Sequence, residues 1–176
     1  MSLEPVYGLA RREEFFETQV VPHMGAAYNL ARWLTRNDHD AEDVVQEAYL
    51  RAFRFWESFR GADPRAWLLA IVRNTCFTWL QQNRKPSLEL PEDMPDLNSV
   101  SSNPEALLLA NVDAEMLRRA VEELPIEFRE AIVLRELEGF SYKEISSITS
   151  VPIGTVMSRL ARARTRLQKT LQGGAA

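Results

Sequence analysis

Apolar residues recur along this chain at three- and four-residue intervals, and no stretch between turns alternates apolar with polar as a half-buried strand would. The pattern predicts an all-α protein. Residues 1–9 show no clear period and read as a frayed start. Two helical pieces follow, 11–20 and 22–34, with Pro22 opening the second and Phe15, Phe16, Ala27, Leu30, Ala31 and Leu34 supplying apolar faces. Asp40 as N-cap and Asp43 at the third position predict a helix over 41–56, its buried stripe made of Ala41, Val44, Val45, Ala48, Ala52 and Phe55. Asp63 as cap and Pro64 at the first helical position open another over 64–82, apolar around most of its girth through Trp67, Leu68, Ile71, Val72, Thr75 and Trp79.

The same cap-then-proline device, Asn103-Pro104, predicts a helix to about 124, with Leu107, Leu108, Val112, Met116, Leu117 and Val121 as burial candidates. Pro125 breaks it, and 126–137 forms the next, with Gly139 placed as a C-cap. Ser141 followed by Glu144 is a capping box, so a short helix starts at Tyr142. Pro152 lacks an N–H and suits only a first turn, so a second helix starts beside it, after the turn Ser150-Val151-Pro152. Gly173-Gly174 ends the pattern. This C-terminal unit is expected to close around Ile132, Val133, Leu137, Ile145, Ile148 and Val156.

Between the two helical groups the composition changes to Pro86, Pro91 and Pro95 among acids, Ser and Asn, without periodicity. The organisation expected is therefore two small helical bundles, 1–85 and 104–176, joined by a flexible linker at 86–103. Its roughly 18 residues could span about 60 Å when extended. The acids Glu89, Glu92, Asp93 and Asp96 either keep it soluble or mimic nucleic acid; the sequence does not choose.

Composition narrows the classes. With 45% hydrophobic residues in 176, real cores are affordable. No apolar run approaches the roughly 20 residues of a membrane span, and the N-terminus lacks a signal-peptide pattern. Cys76 is the sole cysteine, which excludes a disulfide framework, makes small core filler its expected role, and points to a reducing cytoplasm. His23 and His39 have no partner at metal-ligand spacing. No nucleophile–base pair, metal cluster or glycine-rich phosphate loop appears, so neither an enzyme nor a cofactor is expected.

Charge is where chemistry shows. The chain carries a net charge of −4, yet within 141–169 Lys143, Arg159, Arg162, Arg164, Arg166 and Lys169 face one acid, Glu144. On the last helix Val156, Leu160, Ala163 and Leu167 share an apolar stripe, while Thr155, Arg159, Arg162 and Arg166 share a second about a quarter-turn away. A core face beside a cationic face is the form of a helix–turn–helix whose second helix enters the DNA major groove. On the 41–56 helix, Asp43, Gln46, Glu47 and Leu50 project away from the buried stripe. An exposed leucine amid carboxylates and an amide suits docking onto a basic partner helix. The one polar strip of the 64–82 helix holds Arg73, Asn74, Phe77 and Gln81, a stacking and hydrogen-bonding set suited to unpaired bases.

Four blocks in this order resemble the extracytoplasmic-function (ECF) sigma factors, the short two-domain branch of the sigma-70 family: DAEDVVQEAYLRAF from Asp40, PRAWLLAIVRNT from Pro64, LPIEFREAIVLR from Leu124, and GTVMSRLARAR from Gly154. The resemblance implies a promoter-specificity subunit that directs core RNA polymerase. Asp40, Asp43, Gln46, Glu47 and Leu50 would grip the clamp helices of the β′ subunit, with further contact to β. The loop Ser58, Phe59, Arg60, Gly61 would accept a flipped base of the −10 element, and Arg73 and Asn74, with Phe77, would meet DNA just upstream. Thr155, Ser158, Arg159 and Arg162 would read the −35 element while Arg164, Arg166 and Lys169 hold phosphates. The linker would thread toward the RNA exit path, and an anti-sigma factor would hold the protein inactive. Family members often carry Lys or Arg where this chain has Met157, which the wheel puts at the margin of the apolar stripe. Two rivals stand beside this reading: a sigma-like decoy that sequesters an anti-sigma factor, and an ordinary helix–turn–helix regulator.

Overall fold

The structure is a computed structural model that describes residues 4–61, 63–83 and 113–173, with side-chain surroundings described from residue 8 onward. Among the described residues there is no strand, and eight α-helices carry the fold: α1 (Glu4–Phe15), α2 (Met24–Thr35), α3 (Asp38–Arg54), α4 (Pro64–Asn83), α5 (Ala114–Glu122), α6 (Ile126–Ile132), α7 (Tyr142–Thr149) and α8 (Ile153–Gly173). From Glu4 onward the expected frayed start is instead the first helix. It runs into a π-helical turn, Phe16–Val20, which passes through a 3₁₀ turn, Val21–His23, into α2. The Asn103-Pro104 start and Leu107, Leu108 and Val112 lie outside the described residues.

In the N-terminal module α2, α3 and α4 pack against one another. Phe16, Ala27, Leu30, Ala31 and Leu34 are buried, as are Ala41, Val44, Ala48 and Ala52 of α3. Two positions of the expected α3 stripe are not: Val45 is only half-buried, and Phe55 is exposed because α3 ends one residue before it. The start of α3 also differs. Its N-cap is Asn37, whose side chain accepts from the Asp40 N–H, so Asp40 lies inside the first turn rather than before it. The α4 cap is as expected, with Asp63 accepting from the N–H groups of Arg65 and Ala66. Cys76 is buried, and burial pushes its thiol up to about 12, which leaves it an inert core group.

The C-terminal module packs α5, α6 and α7 against α8. Ile132, Val133, Ile145, Ile148 and Val156 are buried as expected, but Leu137 is exposed. It sits in a π-helical turn, Val133–Leu137, closed by the Glu138 N–H to the Val133 carbonyl at 3.0 Å. A wider turn carries each following side chain off an α-helical stripe. Gly139 takes the left-handed conformation (φ 72°) that a C-cap asks for, and both halves of the Ser141/Glu144 capping box form. The turn to α8 runs through Ser150, a non-glycine residue at φ 57°. Relieving that backbone is the expected effect of Ser150→Gly, raising stability by up to about 1 kcal/mol; thermal unfolding monitored by circular dichroism checks it.

The sequence leaves the placement of the two modules open; in the structure they abut. α2 packs on α6 and on the π-helical turn after it, and α4 packs on α7.

Candidate nucleic-acid interface

α7 and α8 form the helix–turn–helix that the sequence predicts. Val156, Leu160, Ala163 and Leu167 are all buried, which fixes the opposite side of α8 outward. Ser158, Arg166 and Lys169 are exposed there, and Thr155, Arg159, Arg162 and Arg164 are half-buried. Met157 stands 52% exposed, clear of the core and not at its margin. Ile153, four residues earlier, is exposed as well. The cations of this helix are less unopposed than local sequence suggests, because α6 and the turn after it bring two acids to them. Arg164 donates to Glu136 at 2.8 Å, and Arg159 lies 3.8 Å from Glu130. Burial opposes the Arg164 charge, but hydrogen bonds to Glu136 and Tyr142 outweigh it and raise its pKa. Arg166 stacks on Phe128, 5.3 Å from the ring centre. Arg162 has no ion-pair partner among the described residues.

On α3, Leu50 is 54% exposed, with Gln46 and Glu47 exposed and Asp40 and Asp43 half-buried. Glu47 is held by Arg51 one turn on, at 3.0 Å. In the loop before α4, Ser58, Arg60 and Gly61 are exposed. Phe59 is half-buried, packed on Phe15 and Trp67 with ring centres 5.4 and 5.5 Å apart. That aromatic base fixes one end of the loop while its polar tip faces solvent.

The α4 strip is arranged differently from a free stacking surface. Asn74 is exposed, but Phe77 is half-buried and the Arg73 guanidinium carbon sits over its ring, 3.9 Å from the centre. The N–H edge of the Arg73 guanidinium donates a fork to Glu130 of the C-terminal module, Nε to Oε2 at 2.8 Å and Nη2 to Oε1 at 3.1 Å. Glu130 is completely buried, and burial pushes its carboxyl up against the pull of Arg73 and Arg159. Two neighbouring contacts repeat the pattern. Arg65 donates to the Glu138 carboxylate at 2.7 Å and its carbonyl at 2.6 Å, and Asn29 reaches the same carboxylate at 3.2 Å. The Glu122 carbonyl accepts from Arg36 at 3.2 Å and from Arg129 at 2.8 Å. Arg129, buried and beside Arg36, is held down at about 10. The seam thus sets Arg36, just past α2, and Arg65 and Arg73 of α4 against the Glu122 carbonyl and the Glu138 and Glu130 carboxylates. None of these acids was among the residues the sequence singled out. A carboxylate directly before the apolar run Ala131-Ile132-Val133-Leu134 was the available signal, but its partner lies 57 residues away.

No helix among the described residues is long and apolar enough to cross a membrane, and no group of acids, His or Cys there could hold a metal. Residues 20–85 match the family model for sigma-70 region 2, and residues 114–167 match that for sigma-70 region 4. The ECF RNA polymerase sigma-E factor of Escherichia coli K12 is 41% identical over 143 residues, covering 76% of this chain and 74% of its own. The ECF RNA polymerase sigma factor SigE of Mycolicibacterium smegmatis is 36% identical over 150 residues, 85% of this chain; this chain spans 58% of that relative's length. Among solved structures, the sigma factor RpoE of Bartonella quintana, determined in complex with the anti-sigma factor NepR, superposes with a TM-score of 0.67. It is 30% identical, covering 89% of this chain and 96% of that one. Two helical modules with these matches define the class as sigma-70-type transcription initiation factors. Within that class the chain belongs to the extracytoplasmic-function sigma factors.

Proposed function

We propose that this chain is a promoter-specificity subunit, without enzymatic activity or cofactor, that works in the cytoplasm by directing core RNA polymerase to its promoters. The N-terminal module, 1–85, binds polymerase through Asp40, Asp43, Gln46, Glu47 and Leu50, the β′ clamp helices being the basic partner and β a further one. Its loop Ser58, Phe59, Arg60, Gly61 receives a flipped −10 base. Flipping costs a few kcal/mol, recovered by pocket contacts and stacking, so opening depends on sequence. Arg73, Asn74 and Phe77 serve the adjoining DNA. Residues 86–103 connect it to the C-terminal module, 104–176, whose α8 reads the −35 element through Thr155, Ser158, Arg159 and Arg162, with Arg164, Arg166 and Lys169 near phosphates. Met157, exposed on that helix, supplies apolar contact of the kind thymine methyls make instead of a phosphate contact. An anti-sigma factor is a further partner.

One observation supports this reading over an ordinary helix–turn–helix regulator: a single chain carries both an outward-facing cationic recognition helix and, on the other module, an exposed Leu50 amid Gln46 and Glu47. A DNA-binding regulator has no use for the second surface. The test is transcription from a random promoter library with core polymerase, followed by sequencing of the start regions. Recovery of two conserved upstream elements is expected. Failure to initiate from any promoter would leave the decoy as the better reading.

A further inference from the structure

The loop assigned to the −10 base has little of its own to hold it. The hydrogen bonds that Ser58, Phe59 and Arg60 donate all end on carbonyls within 55–59. Ser58 reaches Phe55 at 2.9 Å from its N–H and 2.6 Å from its hydroxyl, Phe59 reaches Trp56 at 3.1 Å, and Arg60 reaches Glu57 and Phe59. Among the described residues, no hydrogen bond ties 58–61 to α1 or α4. What reaches beyond the loop is the Phe59 ring. It packs on Phe15 of α1 and Trp67 of α4, and those two rings lie 6.1 Å apart, which closes a triangle. Trp56, at the head of the loop, joins the cluster through Phe15 at 6.0 Å. The Phe59 ring also lies against Gly61, where a Cβ would stand 3.7 Å from Phe59 Cε2. Where this ring sits therefore sets where the tip of the loop sits.

Phe15 is the corner of that triangle contributed by a distant stretch of chain, and its neighbours fix it in place. Phe16 is buried against Tyr49 and Phe53 of α3, ring centres 5.3 and 5.1 Å away. Arg12, one turn earlier, sits over the Phe53 ring at 4.1 Å. The end of α1 is thereby clamped to α3, and Phe15 is left to meet Trp56, Phe59 and Trp67. Aromatic pairs at such separations are favourable beyond the area they bury. We infer that Phe15 is a positioning residue for −10 recognition: from α1, and assigned no DNA contact itself, it seats Phe59 and with it the base-accepting tip Ser58–Gly61. This rests on the assignment of that loop to the flipped base. A base that needs the seated loop is bound in proportion to the seated fraction, so a fall of that fraction to about a tenth costs about tenfold.

Holoenzyme assembled from core polymerase and the full-length chain tests this. The template is a promoter recovered from the random library, together with its variants carrying each other base at the flipped position. Abortive initiation on each template gives the base preference. Phe15→Ala removes the ring, while Phe15→Leu keeps the space filled and decides the matter if alanine unfolds the module. Phe15→Ala is expected to cut the preference for the best base about tenfold, with Phe15→Leu moving in the same direction. The loss falls on the best template and hardly on the others, with −35 dependence and polymerase affinity at the parental level. Phe15→Tyr, which keeps the ring, restores the preference. Equal slowing on every template, in step with a lower melting temperature, would mark Phe15 as core alone and overturn the inference. Phe59→Ala tests the reading beneath it. If that variant keeps the base preference, the loop does not receive the base and both ideas fall. If it abolishes the preference while Phe15→Ala and Phe15→Leu retain it, the loop assignment stands and the role of Phe15 is lost.

Discussion

Arg162→Ala is expected to abolish −35 discrimination while leaving association with core polymerase intact. The side chain projects from α8 behind a stripe of four buried residues, so its Cα is held rigidly, and no acid among the described residues competes for it. A guanidinium that meets a guanine edge in bidentate fashion contributes about 1–3 kcal/mol of discrimination, roughly a 5- to 150-fold loss when it is removed. Lysine cannot reproduce two parallel donors, so Arg162→Lys should recover little of it. Lys169, exposed near the end of α8, makes the contrast. Lys169→Ala should weaken binding to all sequences alike and lower the log–log salt slope by about 0.9, as the loss of one phosphate contact requires. Measuring both variants against matched and mismatched −35 duplexes at several salt concentrations separates the roles. Equal losses on both duplexes for Arg162→Ala would contradict its assignment to base reading.

The helices of this protein were legible because their boundaries are set by local chemistry. Asp63 before Pro64, the Ser141/Glu144 box and Gly139 act on backbone groups within three residues, and each does so in the structure. Errors arose where two local signals compete or where the period itself changes. Asn37 and Asp40 are both competent caps. The left-handed Arg36 turns the chain ahead of Asn37, three residues before Asp40, leaving Asn37 extended (φ −146°, ψ 129°) and able to receive the Asp40 N–H. Leu137 fits an α-helical stripe on paper, but the π-helical turn from Val133 rotates it into solvent.

The site was half legible for a related reason. The recognition face and the Leu50 face are properties of single helices, and helical spacing alone predicts them. Arg73, Asn74 and Phe77 were also read from one helix, but their environment is decided by a carboxylate from another module. Long-range pairing between oppositely charged side chains leaves no period in a sequence; only the fold brings Arg65 to Glu138 and Arg73 to Glu130. The same distance explains why the placement of the modules relative to one another was not legible. A composition shift between 86 and 103 signals a change of element, and it carries no information on whether the flanking surfaces meet.

Leu50→Asp is expected to cut core-polymerase affinity by at least about 30-fold, the most severe loss among single changes to the N-terminal module that leave its fold intact. Interfaces concentrate their energy in a few central apolar or aromatic anchors, whose loss costs about 2 kcal/mol or more. Leu50 has that character: an exposed leucine set among Gln46, Glu47 and Asp43 on one side of a helix whose other side is buried through Ala41, Val44, Ala48 and Ala52. Aspartate removes the apolar anchor and places an unpaired charge where partner surface must be desolvated. Glu47→Lys should act more weakly, because Glu47 already shares its charge with Arg51 at 3.0 Å and exposed pairs of this kind are worth about 0–1 kcal/mol. The decisive comparison is polymerase binding by fluorescence anisotropy for both variants, with circular dichroism to confirm that α3 remains helical. If Glu47→Lys proves the more damaging of the two, the interface is governed by charge and Leu50 is merely its bystander.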